Sequence, residues 1–201
     1  MIYVEYISRR PQIELADFHR TVKRVQQKWE SGFSEDRLIL NAGLTWRLGS
    51  GPEYIGVWYT AKSGFERLDD WERAFRARGE VGDEATMTRV ARIDLAGCYE
   101  ALIDPVRARD GVYYLEKFRP AGSAAAIRSF FEERARQHGR LTLNLLIQRI
   151  GRLGPPPGGL AVWTLPNFAA LGQIAAELDG VSQPLELVEG GVYVDIGMEI
   201  L

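Results

Sequence analysis

This chain spells one phrase twice. RLGSGPEYIGVW runs from Arg47 to Trp58 and RLGPPPGGLAVW from Arg152 to Trp163, with Arg, Leu, Gly, Pro, Val and Trp at matching places. Other echoes keep the same order. Tyr3-Val4-Glu5 answers Tyr114-Leu115-Glu116, Phe65 with Leu68 answers Phe168 with Leu171, and Ile93-Asp94-Leu95 answers Val194-Asp195-Ile196. Together they set a period close to 105 residues and point to a duplicated unit.

The local patterns give each unit its elements. Ile2 to Ser8 alternates as a strand, and Pro11 ends it. Leu15, Phe18, Val22, Val25 and Trp29 share one face of a helix expected from Ile13 to Glu30, and that face should be buried. Arg37 to Leu48 and Tyr54 to Thr60 read as a hairpin around Gly49-Ser50-Gly51-Pro52. Ser63 is placed to cap a second helix carrying Phe65, Leu68, Trp71 and Phe75, with Gly79 as its stop, and Met87 to Leu102 reads as a fourth strand.

After a linker at 104–111 the order repeats. Gly111 to Arg119 is a strand, and a helix capped by Ser123 carries Ile127, Phe130, Phe131 and Ala135. Leu141 to Leu153 and Leu160 to Leu165 form a hairpin, a helix capped by Asn167 follows, and Leu187 to Leu201 is the closing strand. The expected fold class is α+β, with ferredoxin-like βαββαβ repeats over 1–103 and 112–201. One such sheet, with both helices on one face, leaves its other face bare. Two copies can cover each other by closing into a barrel of about eight strands with the helices outside.

YIGVWYTAKSGFERLDDWERAFRARG, Tyr54 to Gly79, and LAVWTLPNFAALGQIAAEL in the second copy give the chain a resemblance to the dimeric α+β barrel superfamily in its two-repeat form. The first stretch resembles the NIPSNAP-type branch in particular; the second lacks its tryptophan and arginines. The superfamily resemblance implies a pocket between a repeat's sheet and its helices. Members use such a pocket for cofactor-independent oxygenation, haem binding or degradation, or isomerisation, and others have no known chemistry. The NIPSNAP resemblance allows a non-catalytic interaction or assembly module.

Composition narrows these classes. One cysteine, Cys98, leaves no internal disulfide framework. A net charge of -2 argues against a grip on nucleic acid. No apolar run is long enough for a membrane span, and the start reads without an export signal, so a soluble cytoplasmic protein is expected. A homodimer stays open.

Candidate chemistry rests on a few residues. His19, at the border of the first helix's apolar face, reads as a structural histidine, an acid/base group or an axial haem ligand; His138 sits at a helix end. Glu5 and Asp94 lie on the first and last strands of the first repeat, which neighbour each other in a ferredoxin-like sheet. They read as a paired acid/base site or as a structural network that Glu116 and Asp195 repeat. Tyr3, Asn41, Trp46, Trp58 and Trp71 are the candidate ligand-binding residues. An asparagine amide can polarise a carbonyl, and tryptophans either hold an aromatic ligand or fill a core. No metal cluster is legible, and no cofactor is expected, with haem as the alternative. The expected function is binding of a small hydrophobic or aromatic molecule, with cofactor-independent monooxygenation or isomerisation as its chemistry. Because the repeats differ most at His19, Trp29 and Trp71, the pocket is expected between Leu15 to Trp29 and the first sheet.

Overall fold

Alternation along the first strand decides the architecture. In β1, Ile2–Arg9, the side chains of Ile2, Val4 and Tyr6 enter one core, while Tyr3, Glu5 and Ile7 face the other way. A computed structural model describes residues 1–32, 35–49, 51–61, 65–78, 83–107, 111–139, 141–178 and 186–195. It shows a mixed α+β protein with a large antiparallel sheet. After β1 come α1 (Leu15–Gly32), β2 (Asp36–Gly49), β3 (Tyr54–Thr60), α2 (Glu66–Arg78), α3 (Asp83–Val90) and β4 (Ala91–Ala101). The second half contributes β5 (Val112–Arg119), α4 (Ala124–Gln137), β6 (Thr142–Arg149), β7 (Gly159–Leu165), α5 (Leu171–Leu178) and β8 (Glu186–Asp195).

The strands close on themselves in the order β1-β3-β2-β8-β5-β7-β6-β4. Within each half the first strand lies between the third and fourth, and β2–β8 and β4–β6 join the halves. One core fills the barrel and consists of strand residues, among them Val4, Leu40, Ile55, Leu115, Leu145 and Val162. A second core lies between α4, α5 and the outward face of β5–β7, where Phe118, Phe131, Trp163 and Ile174 are buried. The corresponding cluster in the first half is smaller: Ile7, Phe18, Val22, Tyr54, Val90 and Ala91.

The two glycines of the repeated phrase sit where the halves meet. Gly49, at φ 101°, lies against β8, where an added Cβ would be 2.1 Å from the Gly190 carbonyl oxygen. Gly154, at φ 147°, lies against β4, where a Cβ would be 2.9 Å from the Gly97 Cα. Each position requires glycine, both for backbone conformation and for close approach of two strands.

Some elements differ from their sequence-based bounds. Met87 to Val90 belongs to α3, because Met87 and Val90, three apart, direct an apolar face to the Phe18–Val22 cluster; the strand begins at Ala91. Leu15 is exposed, and Val25 and Trp29 are half-buried, so the face of α1 expected to be fully buried is closed only at Phe18 and Val22. On α4, Phe130 and Ala135 are half-buried, and Arg134 takes a buried place beside Ile127 and Phe131. Ser63, Gly79 and residues 196–201 lie outside the described residues, as do 108–110 of the expected linker.

Candidate functional site

A cavity of about 400 Å3 lies between α1, α3 and the outward face of β1 and β3. Its floor is Tyr3, Glu5 and Ile7 from β1 with Gly56 and Trp58 from β3. Val22, Val25, Gln26 and Trp29 cover it from α1, and Trp71 from α2. Met87, Thr88, Ala91 and Arg92 close one end, together with Arg10.

The aromatic groups form a connected wall. Tyr3 meets Trp71 edge-on with centroids 5.2 Å apart, Trp29 lies 5.8 Å from Trp71, and Trp29 lies 6.3 Å from Trp58. Trp71 is held from behind, because its indole Nε1 donates to Asp36 Oδ2 at 2.9 Å while Arg67 Nε donates to Asp36 Oδ1 at 3.0 Å. These buried bonds tie α2 to β2 and fix the indole at the cavity wall. Asp36 and Arg67 were not among the candidates read from sequence: a strand-start aspartate is ordinary, and its partners lie 31 and 35 residues away.

Glu5 is the acidic group of the cavity. Burial raises its carboxyl to about 7, against a smaller opposing effect from the hydrogen bond with the Trp58 side chain. Its remaining access to solvent is through the cavity wall it forms. The Tyr3 phenol, on the same face of β1, is raised by burial first and by Glu5 second. Asn41 lies in the same cross-strand row, since both Asn41 and Glu5 pair with Gly56. It is buried, and its Oδ1 has no hydrogen-bond partner among the described residues.

The second half holds the same pair of residue types in a different state. Glu116 lies opposite Ala161 on β5, as Glu5 lies opposite Gly56, and Trp163 follows two residues later, as Trp58 does. Glu116 Oε2 accepts from Arg134 at 2.7 Å and from Trp163 Nε1 at 3.0 Å, beside the buried cluster of Phe131, Trp163 and Ile174. Arg134 lies three residues beyond the buried Phe131 of α4; three beyond the buried Val22 of α1 is Val25, which lines the cavity. An arginine neutralises the second glutamate, whereas the first faces apolar groups.

The other candidates fall elsewhere. Asp94 sits at the bulge where β4 slips against β1 between Tyr6 and Ile7, so it is not opposite Glu5. It pairs with Ser8 and Arg92 at the exposed rim, and the Ser8 hydrogen bond is the first cause of its lowered pKa. His19 packs against Phe18 and Tyr54, 5.7 and 6.0 Å between centroids, and is not part of the cavity lining; burial, then Arg9, lowers its pKa. His138 caps α4 in the other half. The side chain of Trp46 lies outside the described residues. No group of three His, Cys, Asp or Glu among the described residues is placed to hold a metal, and no described helix is long and apolar enough to cross a membrane.

A mixed α+β fold with a large antiparallel sheet defines the class, and solved structures share that fold. A chlorite dismutase-like protein matches with TM-score 0.57 at 12% identity, covering 98% of this chain and 95% of its own. A haem-binding protein from Thermus thermophilus matches with TM-score 0.58 at 12% identity, covering 97% of this chain and 91% of its own. At this identity the likeness shows the fold, which is ferredoxin-like. No protein-family model matches the chain, and no curated protein does; the NIPSNAP-type resemblance of Tyr54 to Gly79 rests on those residues alone.

The cavity lining bears on haem directly. Neither histidine faces the cavity, so a histidine-ligated haem does not fit these residues. Tyr3 and Met87 are the lining side chains of a type that ligates haem iron.

Proposed function

We propose that the chain binds a small, largely apolar, aromatic molecule in the cavity under α1, and that Glu5 transfers a proton on it. The contrast between the two glutamates carries this reading: Glu116 is buried and paired with Arg134, while Glu5, its carboxyl raised by burial to about 7, faces an apolar cavity. A carboxyl with that pKa can both accept and return a proton at neutral pH. With a substrate bearing a C–H next to a carbonyl, the Glu5 carboxylate takes the proton, and the C–H electron pair moves to the carbonyl oxygen. The Tyr3 phenol, kept protonated by its raised pKa, donates a hydrogen bond to that oxygen. Where a C=C bond is conjugated with that enolate, return of the proton to the far carbon of the conjugated system shifts the double bond and completes an isomerisation with no atom or electron gained or lost. The matched positions of Glu5 and Glu116, Trp58 and Trp163, and Gly49 and Gly154 support a chain made of two ferredoxin-like copies, of which the first keeps an open pocket.

Deuterium uptake from heavy water into 2-tetralone, an uncharged aromatic ketone, tests this. Saturable uptake is expected, and Glu5→Gln should slow it by roughly 100-fold or more. Uptake no faster than in buffer, or unchanged in the variant, would sink the reading.

Haem binding in the same cavity is a second reading, favoured by the T. thermophilus neighbour and by Tyr3 on the cavity floor. Haem would supply iron chemistry, and Tyr3 would be the residue to hold it. A Soret shift on adding haemin, lost in Tyr3→Phe, would put this reading ahead; the absence of a shift would remove it.

A further inference from the structure

Arg10 lies one residue beyond β1, before Pro11, and is docked onto the end of α3. Its backbone N–H donates to the Val90 carbonyl at 2.9 Å and its side-chain Nε to the Thr88 carbonyl at 2.6 Å. Both bonds hold the guanidinium at the end of the cavity formed by Met87, Thr88 and Ala91. Among the described residues it makes no ion pair with a carboxylate. The other arginine at this end, Arg92, is already paired with Asp94. In the second half the arginine before the strand-ending proline, Arg119, lies one step inside its strand and pairs with Glu186 at 2.7 Å.

The first half thus carries an uncompensated cation at one end of an apolar cavity and an acid further along its floor. Arg10 follows Glu5 by five residues, or about 16 Å of extended chain. Ile7 stands between them, and the indoles of Trp29, Trp58 and Trp71 lie beyond Glu5, at the Tyr3 end of the cavity. A guanidinium with one donor committed to a carbonyl retains a planar fork of N–H groups, the geometry that matches a carboxylate in two parallel hydrogen bonds.

We propose that the ligand of this cavity is an aromatic monocarboxylate, its carboxylate on Arg10 and its ring system reaching past Ile7 over Glu5 toward the tryptophans. The inference rests on the cavity reading above and adds the charge of the ligand and the residue that selects it. Arg92 contributes less, because Asp94 offsets its charge.

Calorimetric titration at pH 6 with 2-naphthoate and its uncharged isostere 2-naphthamide tests the two separately. The intact protein should bind the carboxylate about tenfold tighter or more, the scale of one charge-assisted pair. Arg10→Gln should bind the two probes equally, Arg10→Lys should keep part of the preference, and Val25→Arg, which fills the cavity, should bind neither. Equal affinities in the intact protein, with both lost in Val25→Arg, would overturn the carboxylate inference and leave the cavity standing. A preference that survives Arg10→Gln would also overturn it. Failure of both probes to bind the intact protein would overturn the cavity reading and this inference with it.

Discussion

Two glutamates at matching positions differ in their surroundings because of the helix packed over each. Val25 of α1 lines the cavity that Glu5 floors, and Arg134 of α4 donates to Glu116. The folded state holds the Glu5 proton up to about pH 7, whereas an unfolded chain releases it at the ordinary value of 4.5. Between these values the folded state binds more protons, so this contribution to stability falls as pH rises from 4.5 and levels off above 7. Glu5→Gln should therefore unfold at higher urea than the parent at pH 8, by up to about 3 kcal/mol, and match it near pH 4. Equal curves at both pH values would contradict the assignment. Removal of Arg134 has the opposite sense. Arg134→Met should cost roughly 3–5 kcal/mol in urea unfolding, because it removes one partner of a buried ion pair. The twin glutamates were legible in the sequence, but their different partners were not. Arg134 reads as a solvent-facing charge until the helix is rotated so that Ile127 and Phe131 face the sheet.

The same contrast is found at the level of elements. Helix α4 packs Ile127 and Phe131 into a buried layer, and α1 packs Phe18 and Val22 while its half-buried Val25 and Trp29 line the cavity, Trp29 against Trp58 of β3. A separate anchor keeps the roof of the cavity in place, through Asp36 bonded to both Arg67 and Trp71. Asp36→Ala should leave Arg67 to Asp70 and free the Trp71 indole, at a cost of roughly 2–3 kcal/mol and with a red-shifted tryptophan emission. An unchanged denaturation midpoint would show that the anchor holds nothing. The strands and hairpins were readable because alternation and turn residues are local signals. Helix α3 was not: Met87 and Val90 fit a strand as well as a helix over so few residues, and contact with α1 decides between them.

At the level of the whole molecule, the halves are joined where the repeated phrase placed its glycines. Sequence showed that Gly49 and Gly154 mark turns; it could not show that each also lets a strand of the other half approach within backbone contact. Gly49→Ala should lower the melting temperature substantially, since a Cβ meets the Gly190 carbonyl and the backbone is at positive φ. A melting temperature within about a degree of the parent would contradict barrel closure at that point. The first half lines a cavity where the second half buries the matching side chains. The indole N–H signals in a nitrogen–proton NMR spectrum test it most directly, during titration with uncharged 2-naphthamide. Trp29, Trp58 and Trp71 line the cavity and Trp163 lies buried between α4 and the sheet. The three cavity signals should move together and saturate while that of Trp163 stays fixed; movement of Trp163, or of none of the four, would contradict the account.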